Sequence, residues 1–156
     1  MNIYEGKLQA KGYKIAVILS RFNQFISGRL LEGALEALKK LGAEEKDLTI
    51  YKVPGAFEIP FLAKKIASKE EFDGILCLGA LIRGDTPHFD FLSAEVTKGL
   101  AQVALEEGVP VSYGILTVDT LEQGIERAGT KAGNKGYDAA FALVEMLNLV
   151  KDAKLD

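Results

Sequence analysis

Residues 14–42 read KIAVILSRFNQFISGRLLEGALEALKKLG. KIAVIL (14–19) is short, apolar after Lys14 and rich in β-branched side chains, the mark of a strand covered on both faces. From residue 24 the period changes. Ile26, Leu30, Ala34, Leu38 and Leu41 recur at helical spacing, and Gly42 offers a C-cap. A strand running straight into a helix is half of a strand-helix-strand unit, and the chain repeats it. LTIYKV (48–53) is followed by Pro54-Gly55 and a helix over 57–69, in which Pro60 is acceptable only within the first turn. GILCLGAL (74–81) precedes a helix over 88–108. VSYGILTV (111–118) precedes a short helix over 121–128, a glycine-rich corner and a last helix over 137–153. This alternation predicts one domain spanning 1–156, a three-layer α/β/α arrangement with a four-stranded parallel sheet. NIYEG (2–6) reads as a short strand with no helix of its own, so it is expected to pair elsewhere.

Composition narrows the function classes. The chain has 156 residues, 48% of them apolar and 26% charged, enough to bury a sizeable core. Its net charge is −3 and no basic stripe stands out, which argues against nucleic acid or an anionic membrane as partner. The opening MNIYEGKLQAKGYK carries charge where a signal peptide needs an apolar run, and no apolar stretch has the length of a bilayer span. Cys77 is the single cysteine, so no internal disulfide can form and a reducing cytoplasm is expected.

In a parallel sheet with helices on both faces, ligands bind at the carboxyl ends of the strands. The four segments there are Ser20-Arg21-Phe22-Asn23, Pro54-Gly55-Ala56-Phe57-Glu58, RGDTPHFD (83–90) and Thr117-Val118-Asp119-Thr120. They offer aromatic rings, a carboxylate, an amide and the only imidazole of the chain, an inventory suited to a flat polar heterocycle beside a phosphate.

RGDTPHFD contains Arg83-Gly84-Asp85, the pattern of an adhesion signal, but adhesion requires export and nothing in the sequence provides it. A local reading fits better. Thr86 can cap a helix, Pro87 suits its first position, and His88 falls in the first turn. Such a start is either a well-capped helix and nothing more, or an anion site. The amides of Gly84, Asp85 and Thr86 could face a phosphate, and the helix field favours a neutral imidazole at His88, suited to proton exchange. Asp85 would then have to turn its carboxylate away. A second cationic feature is ERAGTKAGNKG (126–136), where Arg127, Lys131 and Lys135 surround three glycines. No Walker pattern is present, and no G-x-G-x-x-G follows the first strand. Within the flavodoxin-like class, an acidic pair for a phospho-receiver and a hydroxyl-rich FMN loop are also missing after that strand.

Taken together, SRFN (20–23), PGAFEIP (54–60), GALIRGDTPHFDFLSAEVTKGL (79–100) and TLEQGIERAGTKAGNKG (120–136) resemble the lumazine synthase family. The four motifs occur in the expected order over nearly the whole chain. The resemblance implies a flavodoxin-like fold whose N-terminal strand adds to the sheet of a neighbouring subunit. It implies condensation of 5-amino-6-(ribitylamino)uracil with 3,4-dihydroxy-2-butanone 4-phosphate to 6,7-dimethyl-8-ribityllumazine, the penultimate step of riboflavin biosynthesis, without metal or redox cofactor. By resemblance Phe22 stacks on the pyrimidine, with Asn23 beside it. Ala56, Phe57 and Glu58 hold ring and ribityl chain, and Ala80, Leu81 and Ile82 line the pyrimidine pocket. Gly84, Asp85 and Thr86 cradle the phosphate, while His88 shuttles protons. Tyr113, Arg127 and Lys135 are supplied by a neighbouring subunit. Family members form pentamers, some closing into shells of sixty subunits. The uninserted GTKAGNKG (129–136) and the apolar spacing over 137–150 favour such a shell here.

Three alternatives keep part of this pattern. A non-catalytic shell or flavin-binding relative would lack the chemistry, which the presence of His88 and Arg127 argues against. A riboflavin synthase of the archaeal type would dismutate lumazine instead, and substrate assays separate the two. A flavodoxin-like signalling module needs an acidic pocket after the first strand.

Overall fold

All six residues of β1 (Ile15–Ser20) are buried, because the strand has a neighbour on each edge and helices on each face. The computed structural model describes residues 1–85, 87–129 and 133–156. In it β1 lies between β2 (Leu48–Val53) and β3 (Gly74–Ile82), and β4 (Val111–Val118) flanks β3, giving the parallel order β2-β1-β3-β4. The helices are α1 (Gln24–Lys40), α2 (Ile59–Ser68), α3 (His88–Glu107), α4 (Leu121–Arg127) and α5 (Lys135–Asp152).

Side-chain alternation explains the unbroken apolar strands. Ile15, Val17 and Leu19 of β1, with Leu76 and Leu78 of β3, pack against α1 and α5. Ala16 and Ile18, with Ile75 and Cys77, face α2 and α3 on the opposite side. Both sides are apolar because both are covered. Each fully buried Ile or Leu contributes about 1.5–3 kcal/mol of transfer free energy. Burial also pushes the Cys77 thiol far up, so it stays protonated and serves as packing. A third cluster, with Ile26, Leu30, Leu116 and Ala128, fills the end of the sheet near α4.

Several boundaries differ from the sequence reading. The second helix begins at Ile59, not residue 57, because Ala56–Glu58 form a 3₁₀ turn; Pro60 therefore falls in the first α-helical turn, where its missing N–H costs nothing. Pro87 stands just before α3 rather than inside it, and Thr86, the expected cap, lies outside the described residues. The last helix starts at Lys135, two residues early, because Asn134 caps it. Its Oδ1 accepts from the Tyr137 amide at 3.0 Å, while its Nδ2 donates to the carbonyls of Arg29 (2.9 Å) and Ala128 (3.2 Å). Gly136 lets α5 press against α1, since a Cβ there would overlap the Leu30 carbonyl. The expected C-cap is present: Gly42 follows α1 with φ +98. Among the described residues no helix is long and apolar enough to cross a membrane.

NIYEG forms no strand within the chain; Ile3 and Tyr4 stand exposed. The segment that follows is tied down by α5. Asn148, largely buried, donates to the carbonyls of Lys7 (2.6 Å) and Gln9 (2.9 Å) and accepts from the Tyr13 hydroxyl at 2.8 Å. Partial burial, then the carboxylates of Asp152 and Asp73, hold the Tyr13 phenol above its ordinary range, so it remains a donor. The Ala10 amide completes the tie by donating to Leu41 at 2.8 Å. Replacing Asn148 with Ala leaves its part-buried partners unpaired and should cost about 1–3 kcal/mol. The expected outcome is a lower denaturant midpoint together with faster tryptic cleavage at Lys7 and Lys11. An unchanged midpoint and cleavage rate would show that residues 7–13 are held by other contacts.

Candidate active site

The sheet order reverses direction between β1 and β3, one connection leading outward to β2 and the other to β4. Loops leaving neighbouring strands diverge at such a point and open a crevice. Here the crevice is a cleft of about 470 Å³, walled by Phe22, by Pro54 to Glu58, by Ala80 to Ile82 and Gly84, and by His88, Phe89 and Leu92 at the start of α3.

Backbone hydrogen bonds assemble the first wall. The Arg21 amide donates to Val53 at 2.8 Å and the Phe22 amide to Pro54 at 3.2 Å, joining the loop after β1 to the loop after β2. Asn23 adopts a left-handed conformation (φ 61) at the head of α1 and accepts from Ile26 and Ser27 through its carbonyl. Asn tolerates that geometry better than most residues. It turns the chain into the helix and does not line the cleft. Phe22 and Phe57 both remain 66% exposed, so their rings stand open for stacking.

The second wall has a backbone edge. β1 pairs with β3 only as far as Leu19 opposite Leu78, whereas β3 continues to Ile82 against β4. Ala80 to Ile82 therefore have no strand opposite them on the side of β1. Ala80 and Leu81 are buried, so what this edge offers to the cleft is chiefly peptide groups. A planar ring carrying amide donors and acceptors matches it. Glu58 adds a carboxylate from the opposite wall.

His88 opens α3 at the mouth of the cleft, exposed, and among the described residues its imidazole has no hydrogen-bond partner. Gly84 lines the cleft, and a Cβ there would meet open space. Asp85 is exposed and outside the lining, while Thr86 lies outside the described residues. Among the described residues, no group of three His, Cys, Asp or Glu side chains could hold a metal ion.

Two expectations are corrected. The loop after β4 does not join the other three at the cleft. Thr117 and Val118 instead line a separate hollow of about 380 Å³ with Tyr113, Arg127, Lys135 and Asp138. Tyr113 faces α3, its hydroxyl 2.9 Å from Thr97 Oγ1, and burial raises its phenol above the ordinary range. Arg127 and Lys135 are exposed and, among the described residues, form no ion pair. The chain thus divides the proposed site residues between two surfaces. The 137–150 segment also spends its apolar face within the chain, since Ala140, Leu143, Val144 and Leu147 pack in the core beside α1 and the sheet.

One participant had no sequence signal. Arg83, a candidate adhesion residue by pattern, donates from Nε to Asp119 at 2.9 Å and pairs with Asp90 at 3.1 Å, with its guanidinium 4.7 Å from the Phe89 ring centroid. Its partners lie seven and thirty-six positions away, on α3 and after β4.

Comparison with known proteins agrees with this geometry. The family model for 6,7-dimethyl-8-ribityllumazine synthase matches residues 12–151. A 6,7-dimethyl-8-ribityllumazine synthase of Syntrophus aciditrophicus (strain SB) is 58% identical over 150 residues, covering 96% of this chain and 97% of that protein. One from Clostridium kluyveri is 56% identical over 152 residues, covering 97% of this chain and 99% of its own length. The chain belongs to the 6,7-dimethyl-8-ribityllumazine synthase family.

Proposed function

We propose that the cleft between β1 and β3 binds 5-amino-6-(ribitylamino)uracil, and that the chain condenses it there with 3,4-dihydroxy-2-butanone 4-phosphate, releasing phosphate and water. The observation that carries this reading is the pairing of exposed Phe22 and Phe57 rings with an open backbone edge at Ala80 to Ile82, all facing one imidazole. The pyrimidine stacks on Phe22 and exchanges hydrogen bonds with the β3 edge. Ala56, Phe57 and Glu58 hold the ring and its ribityl chain. Gly84, Asp85 and Thr86 take the phosphate at the start of α3, where unpaired amides and the helix dipole favour an anion. The carboxylate of Asp85 turns outward.

An amine and a ketone combine slowly even in water, so orientation supplies most of the acceleration. What remains is proton traffic. The attacking amine must lose protons, the departing hydroxyl must gain one, and phosphate elimination needs a proton removed from the carbon chain. His88, at the cleft mouth and without another partner among the described residues, could serve both directions. No metal or redox cofactor enters the scheme, and the reaction takes place in the cytoplasm.

Arg127, Lys135 and Tyr113 complete the site of an adjacent subunit, with Arg127 on the phosphate. The support is their location: they share a surface hollow outside their own chain's cleft, and neither cation is neutralised among the described residues. The N-terminal NIYEG adds as a strand to a neighbour's sheet. Its exposed Ile3 and Tyr4 need cover, and the outer edge of β2, with Ile50 40% exposed, is an open place for a strand to pair. Pentamers follow, and with the short segment 129–136 we extend them to a closed shell of sixty subunits.

Three measurements test this. His88→Ala should lower turnover by up to about a hundredfold without altering the assembly. Unchanged turnover removes the imidazole from the reaction. Arg127→Ala should raise KM for the butanone phosphate about ten- to hundredfold, the loss of one charge-assisted phosphate contact, and barely affect KM for the pyrimidine. Equal weakening toward both substrates points to a structural role, while partial recovery on mixing Arg127→Ala with His88→Ala subunits supports sharing. Scattering or electron microscopy near neutral pH should give round hollow particles, and a clean five-subunit mass sinks the shell.

A further inference from the structure

Among the described residues of the loop before α3, Arg83 makes the hydrogen bonds to the rest of the chain, while Phe89 and Leu92 pack the helix start against the core. Among the described residues, Gly84 and Asp85 make no hydrogen bond to the rest of the chain. Arg83 is anchored through its own backbone, its amide donating to the Val118 carbonyl at 2.9 Å where β3 and β4 end. From there its guanidinium spans two elements. Nε donates to Asp119 Oδ1 at 2.9 Å, and Nη1 reaches both carboxylate oxygens of Asp90, at 3.1 and 3.3 Å. The same planar group lies over Phe89, a residue of the cleft wall, at 4.7 Å. Asp119 is itself fixed, because its amide donates to Gln123 Oε1 at 2.8 Å and Thr120 caps α4 by accepting from the Gln123 amide at 3.1 Å.

We infer that Arg83 is a positioning residue for the condensation: by clamping Asp90 and Phe89 against Asp119 it fixes the first turn of α3, and so the direction in which His88 presents its imidazole to the cleft. The inference rests on the functional reading above. Among the described residues the His88 side chain has no hydrogen bond to hold it, and the next two residues of the helix are the ones Arg83 grips. A planar fork makes the contact directional, which a lysine cannot reproduce. The side chains of Arg83, Asp90 and Asp119 are about half exposed or more, so these pairs do little for global stability. Their effect falls on geometry, where a displacement of about 1 Å can cost a hundredfold in rate.

The test uses Arg83→Ala, Arg83→Lys, His88→Ala and the Arg83→Ala/His88→Ala double variant of the whole assembly. Arg83→Ala should keep the denaturant midpoint and assembly, lower kcat about ten- to hundredfold, and leave KM for the pyrimidine nearly unchanged. Arg83→Lys should fall between. Because both residues act through one imidazole, the double variant should be no slower than His88→Ala alone. Amide hydrogen exchange over residues 83–92 should accelerate in Arg83→Ala and return toward the parent rate in Arg83→Lys, a readout that needs no activity. Unchanged exchange in Arg83→Ala overturns the clamp, and losses that multiply in the double variant overturn its action through His88. A parent protein that makes no lumazine, with exchange accelerated as expected, refutes the assigned reaction and with it Arg83's catalytic consequence, while the clamp itself stands.

Discussion

The central strand pair β1–β3 is buried on both faces, and that constraint sets the rest of the molecule. Helices must cover each side, so parallel connections return every strand to the same start and every loop to the same carboxyl edge. Connections that leave β1 and β3 in opposite directions then create the crevice. The cleft is a consequence of topology before it is a property of any side chain, and its polar surface comes from β3 running on past the end of β1.

This origin accounts for a sparse set of reactive groups. A cleft lined by two open rings, one carboxylate and a strip of peptide groups suits a flat heterocycle by shape and hydrogen bonding. Its mouth carries His88, the only histidine of the chain. For a condensation whose partners already react unaided, positioning is the main demand, and in the proposed site rigidity around that one imidazole matters more than a large number of catalytic groups. The Arg83 clamp belongs to that economy. Charged side chains of modest energetic value become consequential when they aim something.

The division of cations and cleft between two surfaces is the other organising feature. Tyr113, Arg127 and Lys135 line a hollow separate from the cleft, and none of them is among the cleft's lining residues. In the proposed assembly that separation becomes a condition for activity, with assembly and catalysis depending on the same contacts.

Much of the fold was legible in the sequence because its signals are local. Period-3.6 spacing of Ile26, Leu30, Ala34 and Leu38, the left-handed Gly42 after α1, and apolar runs at strand length are each decided by residues close to one another, and they give element order and sheet type. The family motifs likewise located Phe22, Phe57, Glu58, Ala80 to Ile82, Gly84 and His88 at one cleft. The tertiary structure alone decided what depends on distant partners. The Asn134 side chain that caps α5 is held in place by a carbonyl on α1, 105 positions away, which accepts from its Nδ2. Asn148 ties down the N-terminal segment across about 140 positions. The bond from Arg83 Nε to Asp119 likewise exists only because the fold brings together residues thirty-six positions apart. Periodicity reports which face a residue buries; it carries no information about which polar group from another element will meet it, because that pairing exists only after the sheet has formed.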